Sequence, residues 1–227
     1  KATMESADLI TCVSKHEREV LISEIGLNDK NIKIIYNGID WEDWKEIPDP
    51  MTFRRKYPHI SEKFVLFAGR LATNKGLTDL IDAMSISQSP DIDLVLMGAD
   101  MGLGKELDKV AVSKNVPMHR LGHVDDDVYR SALSAAEILV LPSEYEAFGI
   151  VLLEAAAAAT PVIGTRVGGI PEAMSDEENG FLVDYNDPVM LATKISSLIG
   201  DEKLCQELGN HGRMFSKRFS WSSLVDQ

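Results

Sequence analysis

The sequence predicts an α/β protein built on a doubly wound parallel sheet. From Phe64 onward, apolar runs of strand length alternate with amphipathic stretches of helical length. The apolar runs are continuous rather than alternating, as suits strands buried on both faces. Repeated strand–helix–strand order closes into a parallel sheet with right-handed crossovers.

Strands are expected at Phe64 to Phe67, Leu94 to Met97, Met118 to Leu121, Ile138 to Leu141, Val162 to Gly164 and Gly180 to Val183. The helix Leu77 to Ser87 puts Leu77, Leu80, Ile81 and Met84 on one stripe. Lys105 to Lys114 and Asp126 to Ala136 read the same way. An Ala-rich helix follows Gly149, and Gly168-Gly169-Ile170-Pro171-Glu172 opens a further loop and helix. Glu172 is read there as capping or charging its own helix. Pro188 to Leu198 and Glu202 to Phe215 are two closing helices.

The first ~45 residues stand outside that count. Ala7 to Ser14 reads as a strand ending at a Ser cap, and Lys15 to Ile25 as a helix ended by Gly26. Ile32 to Tyr36 reads as another strand and Asn37-Gly38 as a turn. Trp41 to Pro50, with its acids and prolines, reads as a linker.

Composition narrows the function. The 227 residues carry a net charge of −13, which argues against a nucleic-acid surface. Any phosphate site must therefore be locally basic, built from particular Arg and Lys residues and helix N-termini. Cys12 and Cys205 are isolated and suit a reducing cytosol. No apolar run reaches membrane-span length and no leader is visible, so a cytoplasmic location is expected. The run Asp125-Asp126-Asp127 reads as acidic residues complementing a helix dipole, and no metal cluster is expected.

The most informative stretch runs from Pro142 to Glu154. A polar loop with Glu146 follows an apolar strand and opens a helix carrying Glu154. The carboxyl end of a strand followed by a helix N-terminus is where polar ligands bind in such sheets. Two carboxylates there can accept hydrogen bonds from the hydroxyls of a sugar or ribose. Gly69-Arg70-Leu71 and Lys75-Gly76 stand at another strand end. Arg offers a planar fork of donors to phosphate oxygens, and Lys a compact charge.

The run from Leu139 to Glu172 resembles the signature of the family 4 (group 1) glycosyltransferases, whose architecture is the two-domain GT-B fold. The shared elements are Pro142-Ser143, Glu146 and Glu154 with seven residues between them, Phe148-Gly149, Thr160-Pro161-Val162, and Gly168-Gly169 followed by Glu172. The likeness extends back through Phe67-Ala68-Gly69-Arg70-Leu71 and Lys75-Gly76 to Asn37-Gly38-Ile39-Asp40, and forward to Phe219-Ser220-Trp221. One position departs: Ala159 stands where the family usually has Gly. Ala resists the left-handed conformation, so a differently shaped helix end is expected.

The resemblance implies a Rossmann-like domain that is one half of a GT-B fold. Residues 1–45 would end the N-terminal, acceptor-side domain and its linker, and residues 46–227 would form the C-terminal, donor-binding domain. It implies a retaining transfer of a hexose from a nucleotide-diphosphate sugar to a glycan, lipid or small-molecule acceptor, with no cofactor and no metal. Arg70 and Lys75 would grip the donor diphosphate. Glu146 would contact sugar hydroxyls, a nucleophilic role being the less favoured alternative. Glu154 would hold the ribose.

Around them, the backbone at Ala147, Phe148, Gly149 and Ile150 would meet sugar or phosphate. Gly69, Gly98, His123 and Val124 would line the nucleotide cleft. The partner is the N-terminal half of the same parent protein, through which alone any peripheral membrane association would come. Without that half, no turnover is expected.

Two other readings stand beside this one. A Rossmann oxidoreductase needs Gly-x-Gly-x-x-Gly, and Gly98, Gly102 and Gly104 have the wrong spacing. A non-catalytic module that binds nucleotide or carbohydrate remains the alternative.

Overall fold

The computed structural model describes residues 4, 6–87 and 91–225. The termini of the two expected domain ranges, residues 1–3 and 226–227, lie outside the described residues.

A small strand–helix–strand unit comes first: β1 (Ile10–Cys12), α1 (Lys15–Ser23) and β2 (Ile32–Ile34), with β1 and β2 paired in parallel. Ser14 and Glu17 explain where α1 starts. The Glu17 N–H donates to Ser14 Oγ (3.0 Å), and Glu17 Oε2 accepts from the Val13 N–H (2.8 Å), a variant of the capping box with the return bond one residue before the cap. Cys12, Leu21, Leu27 and Ile32 form a minor core of their own.

The larger unit runs α2 (Met51–Lys56), β3 (Lys63–Ala68), α3 (Leu77–Ile86), β4 (Ile92–Met97), α4 (Gly104–Ser113), β5 (Met118–Gly122), α5 (Asp126–Ala135), β6 (Ile138–Leu141), α6 (Ile150–Ala157), β7 (Val162–Thr165), α7 (Ile170–Ala173), β8 (Gly180–Val183), α8 (Pro188–Ile199), α9 (Glu202–Ser216) and α10 (Trp221–Val225). Strands β3 to β8 form one sheet in the order β5-β4-β3-β6-β7-β8, every pairing parallel. Chain order therefore reverses between β3 and β6. Phe64, Val65, Leu66 and Phe67 of β3 are fully buried, as is all of β4, because helices cover both faces.

Each expected strand and helix of the large unit is present, with ends shifted by one or two residues. Two helices were not expected. In α2 a single side chain, Phe53, is buried, so six residues show no stripe; Ser131 Oγ on α5 accepts its N–H at 2.8 Å. In α10 no residue is buried. The segment read as a linker is anchored rather than free. It contains a 3-10 turn, Trp41–Trp44, and buries the Trp44 indole in the large core beside Ile39. Ile39 also bonds to the far end of the chain, its N–H donating to Phe219 O (2.9 Å) and its carbonyl accepting from Trp221 N–H (3.2 Å).

The end of α6 corrects the expectation at Ala159. Ala159 takes the left-handed conformation (φ 62°) that glycine would take. The Thr160 N–H donates to Ala155 O (2.9 Å) and the Ala159 N–H to Ala156 O (3.0 Å), a complete Schellman closure. The closing bonds and the packing outweigh the Cβ penalty of about 1–2 kcal/mol. Ala159→Gly is therefore expected to stabilise the fold by about 1 kcal/mol, read as a higher urea midpoint at unchanged slope.

Candidate functional site

The strand-order reversal opens a crevice at the carboxyl ends of β3 and β6, where the loops diverge toward opposite faces. The loop after β3 carries Gly69, Arg70 and Lys75, and the loop after β6 carries Glu146 to Gly149. Lys75 Nζ donates to Glu146 Oε2 at 2.6 Å across the crevice. Their side chains are 12% and 21% exposed, so water screens this pair far less than a surface pair. Arg70 is exposed and makes no ion pair among the described residues.

The acidic loop is held from three sides. The Glu144 N–H donates to Asn74 O (3.0 Å), and the Gly169 N–H donates to Glu146 O (2.9 Å). Thr165 Oγ1 donates to Ser143 O at 2.6 Å. Gly168 explains the close approach of the second glycine loop: a Cβ there would sit 1.9 Å from Glu146 O, and its φ is +54°. The paired glycines thus serve as a rail for the Glu146 backbone.

Ala147 is half-buried and Ile150 exposed at the start of α6. The Phe148 ring lies in the core against Tyr36 and Phe219, with centroids 5.8 and 5.7 Å away. Only the backbone of Phe148 therefore remains for a ligand. The α6 N-terminus beside it is a favourable place for negative charge.

A cavity of about 440 Å³ adjoins the crevice over the ends of β3, β4 and β5. Gly69, Gly98, His123, Val124 and Glu154 line it, with Tyr129 and Asp126 from α5. Arg70, Lys75 and Glu146 do not line it. The candidate residues therefore fall into two adjoining groups, one at the crevice and one in the cavity. Gly98 has a packing reason as well, since a Cβ there would lie 2.0 Å from Gly69 O.

Tyr129 is the residue the sequence reading passed over. Its hydroxyl donates to Glu154 Oε2, which fixes the carboxylate at the cavity wall. A tyrosine on an amphipathic stripe looks like core, and only its polar tip hints at a partner. Burial pushes the Glu154 carboxyl above its ordinary 4.5, and the Tyr129 hydrogen bond opposes this. Burial and the nearby Glu154 charge hold the Tyr129 hydroxyl well above its ordinary value.

The Asp125 to Asp127 run has pairing roles in addition to its helix-start position. Asp125 pairs with Lys56 (3.2 Å), and Arg130 pairs with Asp126 (3.0 Å) and Asp127 (3.5 Å). Glu172 stands in the first turn of α7, as expected, but its carboxylate also reaches across the chain, accepting from the Lys15 and His16 N–H groups and the Tyr36 hydroxyl. No helix among the described residues is long and apolar enough to cross a membrane.

The raised Glu154 pKa sets a sign. The folded state binds that proton more tightly than the unfolded chain, so ionising Glu154 costs stability as pH rises from 4.5 through its raised value. Glu154→Gln is expected to melt higher than the wild type at pH 7, with the gap closing toward pH 4.5 in a pH series of melting curves.

Comparison with known proteins identifies the family. The sequence profile described as Glycosyl transferases group 1 matches residues 51–215, and that of Glycosyltransferase Family 4 matches residues 1–43. An uncharacterized glycosyltransferase of Methanocaldococcus jannaschii is 36% identical over 230 residues, covering 99% of this chain and 59% of that protein. Alpha-maltose-1-phosphate synthase of Mycolicibacterium smegmatis is 31% identical over 253 residues, covering 100% of this chain and 63% of that protein.

Among solved structures, sucrose-phosphate synthase from Thermosynechococcus elongatus superposes with a TM-score of 0.84 at 30% identity, covering 100% of this chain and 58% of that one. Anabaena HepE in complex with UDP and glucose gives 0.89 at 26% identity, covering 97% and 62%. The chain thus spans about six-tenths of the length of these relatives. With the profile match covering well over half its residues, the chain belongs to the group 1 glycosyl transferases.

Proposed function

We propose that this chain is the donor-binding half of a retaining glycosyltransferase that moves a hexose from a nucleotide-diphosphate sugar to a glycan, lipid or small-molecule acceptor. What supports the reading is one juxtaposition. A cavity holding a buried carboxylate adjoins a crevice where Lys75 meets Glu146 at a helix N-terminus. The nucleoside occupies the cavity with its ribose on Glu154. The diphosphate then lies over the crevice, within the field of Arg70, Lys75 and the α6 N–H groups, and the sugar reaches Glu146. HepE is a relative solved with UDP and glucose, so a uridine nucleotide is the first ligand to test.

Breaking the sugar–phosphate bond leaves the electron pair on the departing diphosphate. Fixed cations aimed at that charge stabilise the transition state more than the ground state. Arg70 and Lys75 fill that role, with Glu146 holding Lys75 Nζ in place, so the scheme carries no metal ion and no cofactor. Residues 1–45 belong to the end of the acceptor-side half and its linker, and residues 46–227 to the donor side. The enzyme works in the cytoplasm, with acceptor choice and any membrane contact left to the other half. This chain alone is expected to bind donor without turning over.

Calorimetry with UDP tests the reading. Arg70→Ala and Lys75→Ala are each expected to weaken binding about tenfold, the scale of one charge-assisted contact. Unchanged affinity in both variants overturns it.

A further inference from the structure

We propose that Glu172 is a positioning residue that couples the β1–α1–β2 unit to the acidic loop of the donor site. This rests on the functional reading above. Capping of α1 is the starting point. The first turn of a helix leaves backbone N–H groups without partners. The Ser14–Glu17 box satisfies Glu17, but not Lys15 or His16. Those two amides are taken by a carboxylate 157 and 156 residues away in sequence: Glu172 accepts from Lys15 N–H at 2.8 and 3.0 Å and from His16 N–H at 3.3 Å. An acidic group at a helix N-terminus is also favoured by the helix dipole. The same carboxylate accepts from the Tyr36 hydroxyl at 3.0 Å, just beyond β2.

Both anchors lead to the acidic loop. Glu172 follows Gly169, whose N–H holds Glu146 O at 2.9 Å. The Tyr36 ring lies 5.8 Å from the Phe148 ring, and both rings meet Phe219. The small unit therefore touches the loop bearing Glu146 by a hydrogen-bonded route through Gly169 and an aromatic route through Phe148. Seating α1 on Glu172 and presenting Glu146 to the donor are one mechanical event. Arg70 and the cavity lie outside the clasp, so donor affinity is expected to fall less than kcat.

The test uses Glu172→Ala, Glu172→Gln and Tyr36→Phe. In this chain, amide hydrogen exchange at Lys15 and His16 is expected to accelerate strongly in Glu172→Ala and less in Glu172→Gln, which keeps one acceptor oxygen. In a polypeptide containing both halves, Glu172→Ala is expected to lower kcat about tenfold, a middling value for coupling between sites, with donor Kd within about twofold. Glu172→Gln should recover part of that kcat.

Unchanged exchange overturns the clasp. Released exchange with unchanged kcat overturns the coupling, and so does a loss of kcat matched by an equal loss of donor affinity. Should Glu172→Ala fail to fold, Glu172→Gln carries the exchange and kcat comparison, and Tyr36→Phe, which removes only the hydroxyl bond to Glu172, carries the kcat comparison alone. A wild type that binds no nucleotide refutes the functional reading, whereas the exchange data still decide the clasp.

Discussion

The Lys75–Glu146 ion pair spans the place where the strand order of the sheet reverses, and the crevice there is organised around it. Strands β3 and β6 are neighbours, yet the chain leaves them toward opposite faces. Their loops would diverge without a tie. The pair supplies one at 2.6 Å in a largely water-excluded spot. Removing either partner there strands a poorly solvated charge, which costs more than losing a surface contact. The Asn74, Thr165 and Gly169 hydrogen bonds fix the backbone on which Glu146 stands, so the carboxylate arrives already oriented.

This arrangement also resolves an electrostatic conflict. A chain with net charge −13 repels an anionic ligand at long range. The crevice offsets that locally. Lys75 is compensated by Glu146, Arg70 is left without an ion pair among the described residues, and the N-terminus of α6 adds partial positive charge. The acids that could oppose an anion from α5 are partly neutralised, with Asp125 on Lys56 and Asp126 and Asp127 on Arg130. Local geometry, rather than net charge, decides what binds.

Much of the fold was legible in the sequence, for a physical reason. Strands buried on both faces must be apolar throughout, and helices over them must show one apolar stripe, so Phe64 to Phe67 and Leu77 to Met84 declare themselves. Elements with too few buried side chains do not. Helix α2 buries only Phe53, and α10 has no fully buried side chain. Ala159 misled because propensity counts the Cβ penalty alone, whereas the Schellman bonds and the helix packing are tertiary gains. Tyr129 was missed because a stripe position says nothing about where its hydroxyl points.

The sequence by itself determined the family, the α/β class and the placing of charged residues at strand ends, since periodicity, turn residues and motif spacing are local properties of the chain. Only the tertiary structure decided strand order, the meeting of Lys75 with Glu146, the Tyr129–Glu154 bond and the reach of Glu172 to α1. Those contacts join residues 25 to 157 positions apart. No local pattern encodes such pairings, because they follow from how the whole sheet packs.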